Sequence, residues 1–119
     1  MREFTDKYVM PVAEKCEATG ERPDVDLVKR MGANGLNPMR LGPGKHLAGR
    51  KLFADIKPEE FDYVHEMIIT QELSRCGCRG FMDALQGGMV IGLPPVLNFG
   101  SDEMKKDIVE PVFRGEKFI

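Results

Sequence analysis

The chain has 119 residues, with 17 Lys and Arg against 19 Asp and Glu and a formal net charge of −2. That length is one domain's worth or less, and the missing basic excess argues against a nucleic-acid partner, whose phosphates would need neutralising. At 42% hydrophobic and 30% charged residues the composition is that of a folded globular chain, and folding should bury roughly two-thirds of its extended surface in one modest core.

Residues 2–19 read as the first helix. Phe4, Tyr8, Val12 and Cys16 recur every four positions with Val9 and Ala13 beside them, and Gly20 supplies a stop. Pro11 lies inside this pattern and should kink or split it. A second helix is expected from Pro23-Asp24, with proline in the first turn, through Leu27, Val28 and Met31 to a left-handed stop at Asn34-Gly35. Residues 37–57 carry Pro38, Gly42, Pro43, Gly44 and Gly49 and read as a long connection, either an excursion or packed by something outside the chain.

A third helix should start at Pro58-Glu59-Glu60, whose acidic residues suit the positive end of a helix dipole, and run along Phe61, Val64, Ile68 and Leu73 to Gly77. Residues 80–99 are ambiguous on pattern alone: Phe81, Leu85 and Met89 have helical spacing, whereas Val90 to Leu97 suit a buried strand. Gly87, Gly88 and Gly92 permit close approach of a backbone or a ligand. Ser101 should cap a final helix with Asp102 and Glu103 in its first turn and Met104, Ile108, Val109 and Val112 on its buried face. Pro111 should kink or end that helix, and Lys117-Phe118-Ile119 looks like the start of a strand.

The motifs that carry chemistry are few. Gly42-Pro43-Gly44-Lys45 lacks the upstream glycine of a phosphate loop and has His46 where a Mg²⁺-binding hydroxyl belongs, so it reads as a turn. Cys76 and Cys78 form a C-x-C with no second pair or nearby His, a poor zinc site, so no metal is expected. Three cysteines without a secretory h-region point to a reducing, intracellular compartment, and Glu3 and Asp6 are unlike an Arg-rich mitochondrial presequence. The apolar run of about 13 residues from Gly87 to Phe99 is broken by Pro94 and Pro95 and is too short to cross a bilayer. His65 has no second ligand at metal-binding spacing and reads as structural, and Glu66 and Glu72 read as a solvated charged face rather than as an acid–base pair.

The ordered segments KPEEFDYVHEMIITQELSR and RGFMDALQGGMVIGLPPVLNFGSDEMKKDIVEPVFRGEKFI, preceded by Arg2-Glu3-Phe4, KRMGANGL and GPGKHLAG, resemble the acyl-CoA dehydrogenase family over essentially the whole chain. The flavour is similar to long members that carry an added haem-binding cytochrome b5-like domain. The resemblance implies an all-α fold, a bundle of about four to six helices forming the family's N-terminal domain over residues 1–119, with residues 80–98 a long helix bent at Pro94-Pro95. It implies that this helix lines the acyl pocket through Met82, Gln86 and Val90, a spacing that one helix face allows.

The resemblance further implies FAD and an acyl-CoA substrate for the parent enzyme, and its homo-oligomeric assembly. The family's flavin-contacting Thr/Ser-Glu-x-x-x-Gly-Ser-Asp segment and its α-proton-abstracting glutamate would lie beyond Ile119, in a central β-domain and a C-terminal helical domain. The 119 residues alone are therefore expected to hold no cofactor, to offer no catalytic residue and to leave apolar helix faces in water. A stand-alone helical module binding acyl-CoA or a protein, or a remnant without function, are the alternatives. Mitochondrion, peroxisome and cytosol all remain open.

Overall fold

Apolar spacing near 3.6 residues dominates the sequence, and a computed structural model describing residues 1–119 accordingly contains helices and no strand. Six helices follow in chain order: α1 (residues 2–19), α2 (Val25–Ala33), α3 (Leu36–Met39), α4 (Tyr63–Ser74), α5 (residues 79–99) and α6 (residues 102–113). The all-α expectation is met at the upper end of its helix count, and the ambiguous residues 80–98 are helical throughout.

Proline does not split α1. Pro11 has no N–H, and its ring crowds the carbonyl four residues back. The helix absorbs this with a π-turn over Thr5–Val9, where the Met10 N–H reaches Thr5 O, five residues back instead of four. The same device recurs in α6, where a π-turn over Lys105–Val109 precedes Pro111 and the helix continues to Phe113. A third π-turn, Asp83–Gly87, lies in α5, which runs on through Pro94 and Pro95 to Phe99.

Several boundaries differ from the sequence expectation. Asp24 is the N-cap of α2, accepting from Asp26 N, so Pro23 lies just before the helix and not in its first turn. Helix α4 begins at Tyr63: Pro58-Glu59-Glu60 form a turn in which Lys57 O accepts from Glu60 N and Phe61 N. Asp62 wins the start because its carboxylate accepts from both Val64 N and His65 N, while His65 Nδ1 lies 2.7 Å from Asp62 Oδ1. Starting there also rotates the buried stripe. Phe61, Ile69 and Leu73 are buried, whereas Val64 and Ile68 face outward.

In α6 the π-turn shifts the phase, so Val109 and Val112 are buried and Met104 is exposed. Phe118-Ile119 is irregular and starts no strand. The main chain of Ile119 lies against Gly88 so closely that a Cβ there would collide with it, and a Cβ on Gly92 would stand 2.6 Å from Ile119 Cγ2.

Residues 37–57 are not an excursion. Leu36, Asn37, Pro38 and Met39 of α3 are all buried, and Leu47 and Leu52 follow them inward, so the connection packs on the chain's own core. Arg50 ties it to α6 by donating from Nη1 and Nη2 to the Glu110 carboxylate while its guanidinium lies over the Phe113 ring at 4.8 Å.

The principal core joins sixteen buried residues from α1 to the start of α5. A second cluster of four, Leu93, Val109, Val112 and Phe113, seals the C-terminal half of α5 against α6. Buried Asn37 links the parts, its Nδ2 donating to Val28 O at 3.3 Å and Phe113 O at 3.1 Å. Gly115 closes α6 with φ +73°, and a Cβ there would meet Val28 O at 2.5 Å.

Two predictions follow from this packing. Gly115→Ala should combine left-handed strain with overpacking and destabilise the fold by about 2 kcal/mol or more, read as a fall in the denaturant midpoint. Acid should weaken the tethered connection in two stages. Burial holds the His46 imidazole below its ordinary value, so its stabilising effect is lost as pH falls below about 6.5. The hydrogen bond from Arg50 holds Glu110 below its ordinary value, so that contribution is lost as pH falls below about 4.5. The thermal midpoint should therefore fall in both windows, and His46→Gln should flatten the upper one.

Candidate functional site

Met82, Gln86 and Val90 lie on the single continuous helix α5, one turn apart. Met82 is half-buried and lines a cavity of about 320 Å³ with Ser74, Gly77, Cys78, Arg79 and Asp83. Val90 is half-buried, and Gln86 is only 4% exposed. A helix is the element that allows this, because it holds three side chains in one row on a rigid backbone. Gln86 lies inside the π-turn Asp83–Gly87, which starts directly after Met82.

Around Gln86 lies a polar cluster that sequence reasoning did not find. Arg40, at the end of α3 and 8% exposed, donates from Nε to Gln86 Oε1 at 2.9 Å. Its Nη1 donates to Glu66 Oε1 at 2.7 Å and to Thr70 Oγ1 at 2.8 Å, and Thr70 Oγ1 donates to Glu66 Oε1 at 2.9 Å. Burial lowers the Arg40 guanidinium from its ordinary value, and the neighbouring Glu66 charge opposes that. Gln86 Nε2 is buried and has no hydrogen-bond partner. An unpaired buried donor of this kind costs about 1–3 kcal/mol.

The expectation that Glu66 and Glu72 are solvated is thus corrected. Glu66 pairs with Arg40. Glu72, buried at the α4–α1 contact, accepts from Arg2 Nη2 at 2.9 Å and Arg75 Nη1 at 3.2 Å, and Arg75 also reaches Asp6 at 2.7 Å. The hydrogen bond from Arg2 holds the Glu72 carboxyl below the usual range, against the opposing effect of desolvation, which suits a fixed anion and not a proton carrier. The i, i+4 spacing of Glu66 and Thr70 was legible, but Arg40 comes from 26 positions away in the Pro- and Gly-rich stretch and left no periodic signal.

His65 serves the α4 cap, in keeping with its structural reading. Burial raises the Cys78 thiol above its ordinary value, and its Sγ donates to Cys76 O. No group of three His, Cys, Asp or Glu side chains is gathered for a metal ion. No helix is long and apolar enough to cross a membrane. A cavity of about 490 Å³ is bounded by Leu41, Pro43, Gly44, Lys45, His46, Pro94, Leu97 and Asn98. A flavin diphosphate needs converging N–H donors or cations, and Lys45 is the one standing charge lining this cavity, which makes the cavity a poor fit for it.

The Arg40 cluster makes a measurable prediction. Glu66→Gln keeps an acceptor for Arg40 but removes its counter-charge. Breaking a fully buried pair costs about 3–5 kcal/mol, and Glu66 is partly exposed, so a loss of about 2 kcal/mol is expected in chemical denaturation.

The family described as "Acyl-CoA dehydrogenase, N-terminal domain" matches residues 1–116. The acyl-CoA dehydrogenase AFT10-1 of Alternaria alternata is 33% identical over 98% of this chain and 27% of its own length. The mitochondrial short-chain specific acyl-CoA dehydrogenase of Sus scrofa is 30% identical over 98% of this chain and 25% of its own. A 3-(aryl)acrylate reductase of Clostridium sporogenes is 27% identical over 98% and 27%. No solved structure matches. The chain spans about a quarter of the length of these relatives, and their likeness falls on their N-terminal part, as a fragment's would. A helical fold and a family match from residue 1 to residue 116 together make this chain an N-terminal helical domain of the acyl-CoA dehydrogenase family.

Proposed function

We propose that the chain serves an FAD-dependent acyl-CoA dehydrogenase by forming one wall of the pocket that takes the acyl chain of a CoA thioester. The observation that carries this reading is the α5 face of Met82, Gln86 and Val90 on one unbroken helix, inside a family match that covers residues 1–116. Two half-buried apolar side chains flank it, as a wall for a hydrocarbon chain requires.

The reaction removes an α-proton and a β-hydride and leaves a Cα–Cβ double bond, so it needs a base beside the α-carbon and a hydride acceptor beside the β-carbon. Both belong, on this reading, to the remainder of the polypeptide, in its β-domain and C-terminal helical domain, which supplies the FAD site. The 119 residues position the substrate and exclude water but carry out no chemistry alone. Exposed apolar side chains support a covering partner: Tyr63, Val64, Met67 and Ile68 on α4, and Ile91 at 78% and Phe99 at 88% exposure on α5. The other domains and further copies in a homo-oligomer would cover them. Three free thiols support a reducing, intracellular setting.

The test is steric. In the complete enzyme, Val90→Trp should cut kcat/KM for the longest accepted acyl-CoA about tenfold or more relative to a short one, measured by flavin bleaching under anaerobic conditions. An equal effect on all chain lengths would show that this face does not meet the acyl chain.

A further inference from the structure

The α5 face is not a uniform apolar wall. Gln86 is buried between Met82 and Val90, and its amide is held at one end only. Chemistry fixes which end. A guanidinium has donors and no acceptor, so Arg40 must face the amide oxygen, because the flipped amide would set donor against donor. Arg40 is in turn locked from the far side by Glu66 and Thr70, which hydrogen-bond to each other. The network therefore aims Gln86 as well as burying it, and what it leaves unpaired is an N–H donor pair.

We propose that Gln86 Nε2 is a specificity element that donates a hydrogen bond to an oxygen carried on the acyl chain, so that the preferred substrates are acyl-CoA thioesters with a neutral hydroxyl, keto or ether oxygen beyond the β-carbon. This rests on the reading of α5 as the acyl wall. Charge selects among oxygen classes. Glu66 already matches Arg40, so a chain ending in carboxylate would bring a second anion to a cation that is committed, whereas a neutral oxygen needs only the donor at hand. Met82 and Val90, one turn to either side, offer no comparable acceptor that could satisfy Nε2 from within the face. Arg40 does not touch the substrate. It is a positioning residue that keeps the amide from turning.

The experiment compares kcat/KM in the complete enzyme for three saturated acyl-CoA thioesters of equal length: plain, bearing one keto oxygen beyond the β-carbon, and ending in carboxylate. The keto chain should exceed the plain chain at least tenfold, with the carboxylate no better than plain, because a plain chain strands the buried donor. Gln86→Leu should bring the keto-to-plain ratio to about one, and Gln86→Glu, which keeps the Arg40 contact but cannot donate when ionised, should do the same. Arg40→Lys preserves the charge balance with Glu66 but loses the guanidinium fork, and it should lower the ratio through KM of the keto substrate. A merely structural Arg40 would shift both substrates alike. A plain or carboxylate preference in the wild type overturns the proposal without any variant, as does an unchanged ratio in Gln86→Leu. Turnover of none of the three overturns the acyl-CoA dehydrogenase reading itself, whereas turnover without the keto preference leaves that reading standing and removes this one.

Discussion

A guanidinium cannot be deprotonated inside a protein, so burying one obliges its surroundings to supply both charge and acceptors. Arg40 imposes that obligation here, and three elements meet because of it. Glu66 and Thr70 come from α4, Gln86 from α5, and Arg40 itself closes α3. The apolar core brings these helices together in a general way, since Leu36 and Met39 are buried on one side and Ile69 and Leu73 on the other. Hydrophobic burial is indifferent to small slides and rotations. A fork of directed donors is not, and it fixes the register in which α5 presents its face.

The rest of the molecule repeats the arrangement of a loose apolar contact pinned by one polar group. Asn37 joins α2 to α6 by donating to Val28 O within α2 and to Phe113 O at the last residue of α6. Glu72 joins the start of α1 to α4, and Arg50 joins the long connection to α6. None of these pins is local in sequence. That is why the helices were legible and their arrangement was not. Spacing alone is enough for α1, α2 and α6 and for the capping by Ser101, since those signals lie within one turn of where they act, whereas α5 is ambiguous on pattern and needs the family resemblance. The acidic residues of α4 looked like a solvated face because their partners, Arg2 and Arg40, lie 70 and 26 positions away. The start of α4 was misplaced because two turn signals compete there, and only the doubly accepting Asp62 decides between them.

The candidate site divides in the same way. The row of Met82, Gln86 and Val90 follows from helix geometry together with a family resemblance, and could be read from the sequence. The polarity hidden within it could not, because the orientation of a single amide depends on a side chain brought in by the tertiary fold. On the proposed function, the apolar surface left open on α4 and α5 is what the other domains of the enzyme would cover. A domain that is one part of a larger enzyme can leave to its neighbours faces that an independent protein would have to cover itself.

The π-turns ahead of Pro11 and Pro111 have a consequence for how this fold tolerates changes in length. A π-turn is an α-helix holding one residue more than it needs, and the surplus changes the angle at which everything before it faces everything after it. Within Thr5–Val9 that surplus sets Arg2 and Phe4 in their present orientation relative to Ala13 and Cys16. Loss of one residue there would swing the first turn away from Glu72 by about 100° and set the Pro11 ring back against the carbonyl four residues before it. The prolines thus set a residue count. Ahead of Pro11, the number of residues decides which neighbour the first turn of α1 meets.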